Sequence, residues 1–308
     1  MGKKIVITSE FFGRFSQEGE RLLKEAGFEV IPNPYKKALT EEEVISIIGE
    51  ADGIICDLEK ISKRVIDSAP NLKIIARRGV GTDSVDVAYA QEKGILVART
   101  LGVVEKPVAE LVMAYILQVS RKTAELDQHM KASSWNKILG FSLEGKVLGI
   151  VGLGAIGKEL IRKAKAFDME IIYSDVRQDL QAETELGITY VSFEELLGKS
   201  DIISIHAPLT STTENMFHDE TMEKMKKKPM LINTARGPIV NERALCRALE
   251  KDLISYAAID VFDVEPKTDS PLRKFDNVIL TPHVGTFTRE VFINMDILAA
   301  KNVIEHLK

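Results

Sequence analysis

The chain has 308 residues, 45% hydrophobic and 28% charged, with a formal net charge of −5, long enough for two domains that each bury a core. No basic stripe points to nucleic acid, Lys226-Lys227-Lys228 reads as a solvated helix end, and no apolar run reaches the roughly 18 residues of a membrane span or resembles a secretory leader. Cys56 and Cys246 lie far apart and the five histidines are scattered, so reduced thiols in a cytoplasm and no metal site are expected.

Residues 1–98 alternate short apolar runs with helical segments. Met1-Gly2-Lys3-Lys4 leads directly into a strand, Lys4-Ile5-Val6-Ile7-Thr8, followed by a helix from Ser16 to Ala26 that Gly27 stops. Phe28-Glu29-Val30-Ile31-Pro32 is the next strand. Thr40 and Glu43 form a capping box that opens a helix. Gly53-Ile54-Ile55-Cys56, Leu72-Lys73-Ile74-Ile75-Ala76 and Gly94-Ile95-Leu96-Val97-Ala98 continue the series. Runs of Val, Ile and Leu alternating with helices imply a parallel sheet covered on both faces.

Residues 105–130 are expected as one long packing helix, with Pro107 near its first turn, where a missing N–H does no harm. Val108, Leu111, Val112, Tyr115, Ile116 and Val119 recur along it at helical spacing. Trp135, in the loop that follows, is expected to anchor the junction between the domains.

A second α/β series begins at Val147-Leu148-Gly149-Ile150-Val151-Gly152-Leu153-Gly154-Ala155-Ile156-Gly157. This is a buried strand, a G-x-G-x-x-G turn and a helix starting near Ala155. A second strand, Glu170-Ile171-Ile172-Tyr173-Ser174, ends on Asp175. Each part has a physical task in dinucleotide binding. Gly152 allows the tight turn, Gly154 lets a pyrophosphate approach the backbone, and Gly157 lets helix and strand pack closely. The N–H groups at the helix start hold phosphates, and Asp175 binds the ribose hydroxyls while repelling a 2′-phosphate. NAD is therefore expected over NADP, with Arg177 leaving room for some NADP.

Ligands of open parallel sheets sit beyond the carboxyl ends of the strands. Reading those ends in order gives Gly152, Asp175, His206-Ala207-Pro208, Thr234-Ala235-Arg236, Asp260, Glu265 and His283. Three of them make a reaction. His283 can exchange a proton near neutral pH, Glu265 would orient it and favour its protonated form, and the planar fork of Arg236 suits a carboxylate or a polarised carbonyl. Beside NAD, this set implies hydride transfer between nicotinamide and the carbon of an alcohol or ketone. His283 would act as general base in oxidation and general acid in reduction.

The segments Leu231-Ile232-Asn233-Thr234-Ala235-Arg236-Gly237, Asp260-Val261-Phe262-Asp263-Val264-Glu265-Pro266 and Thr281-Pro282-His283-Val284-Gly285 resemble the signatures of the D-isomer-specific 2-hydroxyacid dehydrogenases, of which phosphoglycerate dehydrogenase is the best-known member. The likeness extends to Gly79-Val80-Gly81-Thr82-Asp83 and Val108-Ala109-Glu110-Leu111. It implies an α/β protein with two doubly wound parallel-sheet domains. One is a flavodoxin-like substrate (catalytic) domain, 1–98 plus 288–308; the other is a Rossmann NAD-binding domain, 99–287. It further implies a catalytic set of Arg236, Glu265 and His283, and NAD contacts at Ala155, Ile156, Asp175, Ala207, Thr234 to Arg236, Asp260 (on the carboxamide), His283 and Gly285. His206 and Pro208 flank Ala207 in that cofactor loop. Backbone N–H groups at Val80 and Gly81 would hold the substrate carboxylate together with Arg236, and domain closure would bring that loop to the cofactor. The substrate implied is a small D-2-hydroxy acid or its 2-keto acid, the assembly a homodimer using the long helix.

Three features depart from the family pattern, the first being Val104, within Leu101-Gly102-Val103-Val104, where the family often has Asn. The region after the third strand, Cys56-Asp57-Leu58-Glu59-Lys60, is acidic and would repel a phosphate, although Arg77, Arg78 and Lys106 could offset it. The chain stops at Lys308, so no regulatory domain of the long-chain type is expected. An NAD(H)-sensing protein resembling the corepressors on this scaffold, or a dehydrogenase of phosphite or formate, stays open as an alternative.

Overall fold

Every strand pairing among the described residues is parallel, and the strands divide into two separate sheets. The structure is a computed structural model that describes residues 2–308; Met1, at the head of the expected approach to the first strand, lies outside them. One unit holds the chain through Val104 together with Thr286–Lys308, and the other holds Glu105–Gly285.

The first unit contains β1 (Lys4–Ile7), β2 (Glu29–Ile31), β3 (Gly53–Cys56), β4 (Ile74–Arg77) and β5 (Leu96–Arg99), in the order β2-β1-β3-β4-β5. That is the flavodoxin-like order, with its switch point between β1 and β3. Side chains alternate across the sheet, so neighbours in sequence enter different cores. Ile5, Ile7, Ile55 and Ile74 pack with Leu23, Ala299 and Val303, from helices Glu18–Glu25 and Arg289–Leu307. Val6, Ile54 and Ile75 pack on the other face with Val44, Ile48 and Val65. Thr40 and Glu43 close the expected capping box. The strands over 72–76 and 94–98 form two residues later than their hydrophobic runs begin, at β4 and β5. Lys73 N bonds Asp52 O and its own carbonyl takes Leu96 N, so the runs' first residues extend the ladder at its margin.

The second unit contains β6 (Val147–Val151), β7 (Glu170–Ser174), β8 (Thr189–Tyr190), β9 (Ile202–Ile205), β10 (Met230–Asn233), β11 (Tyr256–Ile259) and β12 (Val278–Leu280). Their order, β12-β11-β10-β9-β6-β7-β8, is the Rossmann order with one further strand, and it reverses between β6 and β9. There Leu148 to Val151 run in register with Ile202 to Ile205. Helices Glu105–Arg121 and Ala155–Lys165 cover one face through Ile116, Leu160 and Ile161; Leu196, Leu245 and Leu249 cover the other.

Two expectations need correction here. The segment 105–130 is two helices, Glu105–Arg121 and Thr123–Lys131, broken at Lys122, whose φ is +55°. The cause lies outside the helix. The Ser120 carbonyl, which a continuing helix would spend on the amide four residues on, accepts Phe141 N at 2.9 Å instead. Gly140 makes that return possible, because a Cβ there would stand 2.2 Å from Ser120 O. Trp135 anchors no junction within the chain, since 78% of it is exposed.

Candidate active site

The glycine turn after β6 shows what each glycine is for. Gly152 has φ +94°, and a Cβ there would lie 2.6 Å from Ala207 N, so the loops after β6 and β9 close on each other at the switch point. At Gly157 a Cβ would meet Gly152 O at 2.8 Å, which is close helix-on-turn packing. Gly154 is different: its Cβ would meet nothing within 4 Å, and its φ of −79° suits any residue. The protein's own packing gives no reason for glycine at 154, whereas a pyrophosphate lying on the turn does. Gly154 is also the N-cap of helix Ala155–Lys165 and offers no side-chain acceptor, so the N–H groups of the first turn, at Ala155 and Ile156, stay available to an anion.

Asp175, after β7, accepts Leu153 N on Oδ2 at 2.6 Å, which ties it to the same turn. A cavity of about 420 Å³ opens here, lined by Leu153, Asp175, Arg177, Gln178, Asp179 and Leu180. It has the carboxylate that an adenosine ribose needs, with an arginine at its border. After β9, His206 shares a hydrogen bond of 2.9 Å with Ser204 Oγ, and burial pushes its pKa down to about 4. It is a neutral imidazole, which suits a wall of the cofactor cleft and not proton transfer at pH 7. Ala207 is buried and Pro208 exposed. After β10, Thr234 Oγ1 is buried without a partner, an orphan that a bound polar group would satisfy. These observations fit NAD lying along the carboxyl edge of this sheet.

The proposed reacting groups stand on the next loops. Arg236 donates from Nη1 to Ala235 O at 2.6 Å, and Asn233 braces that turn. Its Nδ2 donates to Arg236 O at 2.9 Å while its Oδ1 accepts Ala235 N at 3.0 Å. His283 Nδ1 lies 2.6 Å from Glu265 Oε2, both side chains being about 30% exposed. Phe262 N donates to the other carboxylate oxygen at 2.9 Å. Burial alone would push the Glu265 carboxyl up, but the His283 bond and charge, the Phe262 amide and the Arg236 charge outweigh it and hold the carboxyl below its ordinary range. With an acceptor fixed at Nδ1, that nitrogen carries a hydrogen and Nε2 is the one left to exchange a proton.

Asp260 is fully buried and organises the His283 loop. Its Oδ1 accepts Thr281 Oγ1 at 2.6 Å and Val284 N at 2.8 Å, its Oδ2 accepts Gly285 N at 2.9 Å, and its carbonyl takes His283 N at 2.8 Å. Three of the roughly four acceptor positions of a carboxylate are thus filled from within, leaving one for a carboxamide. Tyr115, Thr281 and Asn233 are not among the site residues read from the sequence. They carry no strand-end charge, and only the packing reveals their place in the site.

The structure brings Gly152, Gly154, Asp175, His206, Thr234, Arg236, Asp260, Glu265, His283 and Gly285 to one sheet edge of the second unit. Val80 and Gly81 belong to the first unit, on the loop after β4. There Arg78 is buried and ion-paired to Asp57 at 2.5 Å and Asp296 at 2.7 Å. Glu59 is also buried, and its pKa is raised to about 7 by desolvation and by Asp57.

A family model described as "D-isomer specific 2-hydroxyacid dehydrogenase, NAD binding domain" matches residues 113–285. The glyoxylate reductase of Thermofilum pendens is 40% identical over 301 residues, which are 95% of this chain and 89% of that one. Among solved structures, a protein from Thermus thermophilus superposes with a TM-score of 0.89 at 33% identity, covering 99% of this chain and 96% of that one. The D-lactate dehydrogenase of Aquifex aeolicus, complexed with NAD and lactic acid, superposes with a TM-score of 0.85 at 28% identity, covering 98% and 94%.

Proposed function

This chain belongs to the D-isomer-specific 2-hydroxyacid dehydrogenases and uses NAD, and on that premise we propose that it reduces glyoxylate or a similarly small 2-keto acid, with His283 as the acid. The observation that carries the reading is the 2.6 Å Glu265–His283 pair, on the same carboxyl edge of the sheet as the glycine turn. NADH, when bound, supplies the hydride to the carbonyl carbon. Arg236 binds the substrate carboxylate and polarises the keto oxygen, backbone N–H groups at Val80 and Gly81 hold the carboxylate, and His283 Nε2 gives its proton to the oxygen. Glu265 keeps the hydrogen on Nδ1 and holds the imidazole in place.

A small unphosphorylated substrate fits the first unit's chemistry. Of the three cations that could offset the acidic strand end, Arg78 is taken by Asp57 and Asp296, and a phosphate near the Asp57 carboxylate would meet like charge. The names of relatives point the same way, glyoxylate reductases being prominent among them. The test is nicotinamide absorbance during incubation with glyoxylate, pyruvate, phosphohydroxypyruvate, phosphite and formate. Glyoxylate or pyruvate should consume NADH, and His283→Ala should abolish that while still binding NADH. No turnover with any 2-keto acid would sink the reading in favour of a sensor, and oxidation of phosphite or formate would point to the other alternative.

The protein also works as a homodimer in this reading. Helix Thr123–Lys131 buries none of its residues, and Met130, Trp135 and Leu139 are 55%, 78% and 94% exposed. Apolar side chains this exposed in one stretch mark an interface, and a second copy is the occupant that the resemblance implies. Sedimentation should give a dimer that Trp135→Ser with Leu139→Ser dissociates; a monomeric parent would refute it.

A further inference from the structure

We propose that Tyr115 is a positioning residue for the acid/base loop, acting through Thr281 and Asp260 on the backbone that carries His283. The proposal rests on the role given above to His283 and concerns how that residue is held in place. Tyr115 is buried on helix Glu105–Arg121, and its hydroxyl lies 2.5 Å from Thr281 Oγ1. Thr281 Oγ1 in turn lies 2.6 Å from Asp260 Oδ1.

The direction of the chain follows from counting hydrogens. Asp260 already receives the N–H groups of Val284 and Gly285, so it stands as an acceptor. Thr281 has one hydroxyl hydrogen, and it goes to Asp260. The Thr281 oxygen then faces Tyr115 with a lone pair, and the phenol must be the donor. Burial raises the Tyr115 pKa, which keeps that hydrogen in place at any working pH.

The loop needs such a brace. His283 has φ +53°, a left-handed conformation that a non-glycine residue holds only when its surroundings fix it. Asp260 supplies the fixing bonds at 281, 283, 284 and 285, and Tyr115 fixes Thr281, the first of them. The same helix touches the loop a second time. A Cβ at Gly285 would stand 3.3 Å from both Val108 and Asp260 Oδ2, and Val108 is two turns before Tyr115 on one helix face. Helix and loop therefore share one contact line, with a hydrogen-bonded end at Tyr115 and a close-packed end at Val108. Asn233 is the comparable brace of the Arg236 turn, but it lies next to that turn in sequence, whereas Tyr115 acts from a separate element.

The experiment compares Tyr115→Phe, Thr281→Val and the double variant in the full-length protein. Amide hydrogen exchange without cofactor should show Val284 and Gly285 losing protection in Tyr115→Phe. The kcat for glyoxylate should fall about three- to ten-fold, the size of one net hydrogen bond, with a smaller effect on the NADH Kd. Adding Tyr115→Phe to Thr281→Val should cause no further loss, because both cut one chain. Unchanged exchange in Tyr115→Phe, or losses that add in the double variant, would overturn the proposal. If the parent turned over no 2-keto acid, the functional reading would fail, while the exchange comparison would still decide what Tyr115 does.

Discussion

Replacing Gly154 by alanine separates what the glycine turn does for the fold from what it does for the cofactor. In the protein alone the methyl group meets nothing within 4 Å, and the backbone, at φ −79° and ψ −171°, is open to alanine. Alanine is a poorer N-cap than glycine, but it lowers the entropy of the unfolded chain by about 0.4–1 kcal/mol. These terms oppose each other and leave stability within about 1 kcal/mol of the parent, a melting shift of roughly 2–4 °C at most for a domain of this size. Binding is another matter. A methyl group placed against a bound pyrophosphate is an overpacking of about 1–3 kcal/mol, or roughly five- to 150-fold in Kd. Gly152→Ala should behave in the opposite way. Its φ is +94° and its Cβ would sit 2.6 Å from Ala207 N, so strain and overpacking of about 1–3 kcal/mol each fall on the folded protein itself. Fluorescence titration with NADH and a thermal melt on both variants decide the matter. A Gly154→Ala protein that binds NADH like the parent, or one that melts as early as Gly152→Ala, would refute the reasoning.

Glu265→Gln should lower kcat by about 10²- to 10⁴-fold, the usual contribution of a positioned acid/base pair, with NADH titration unaffected. Because the Glu265 carboxyl is held below its ordinary range, the unfolded chain takes up that proton first as pH falls. The pair's stability is therefore present above about pH 4.3 and lost below it, and the acid limb of urea unfolding should be shallower in Glu265→Gln. His206, with its pKa lowered to about 4 by burial, is protonated in the unfolded chain before the folded one. Stability should fall from about pH 6.5 toward pH 4, and His206→Gln should flatten that limb; an unchanged limb would contradict the neutral assignment. Asp175→Ser should raise the ratio of NADPH to NADH turnover, since it removes the carboxylate facing the ribose pocket and leaves Arg177 at its border. An unchanged ratio would place the ribose elsewhere.

The central strands were legible in the sequence because they are short apolar runs buried on both faces, and such runs have few alternatives. Ile54-Ile55 and Ile74-Ile75 each send neighbours into opposite cores, so their composition alone marks them. The glycine turn was legible for a different reason: its spacing states a steric requirement. What stayed hidden depends on partners far away in the chain. No glycine or proline interrupts residues 108–130, yet the helix stops at Arg121, where Phe141 N takes the Ser120 carbonyl that a continuing helix would use. Trp135 looked like a core anchor because large aromatics usually are, and nothing local shows that its own chain leaves it uncovered.

Asp260 and Glu265 show what the structure adds inside the site. Both are acids after β11, five positions apart; the sequence sets Glu265 beside His283, and the structure pairs them at 2.6 Å. The fold gives them separate work through what surrounds them. Asp260 meets two backbone amides and a hydroxyl, groups that hold a loop's shape. Glu265 meets one amide and the imidazole, which leaves its charge to act on a group that can change protonation. Exchanging their roles would need exchanged partners. Asp260→Asn would put an amide N–H₂ where Gly285 N or Val284 N now donates, setting donor against donor in a buried site, a cost of about 1–3 kcal/mol. That substitution should lower the melting temperature as well as the rate. Glu265→Gln keeps an oxygen for Phe262 N, sets no donor against a donor, and should lower the rate far more than it lowers the melting temperature. If both variants lost stability equally, the distinction between a carboxylate that shapes the loop and one that serves the proton would fail.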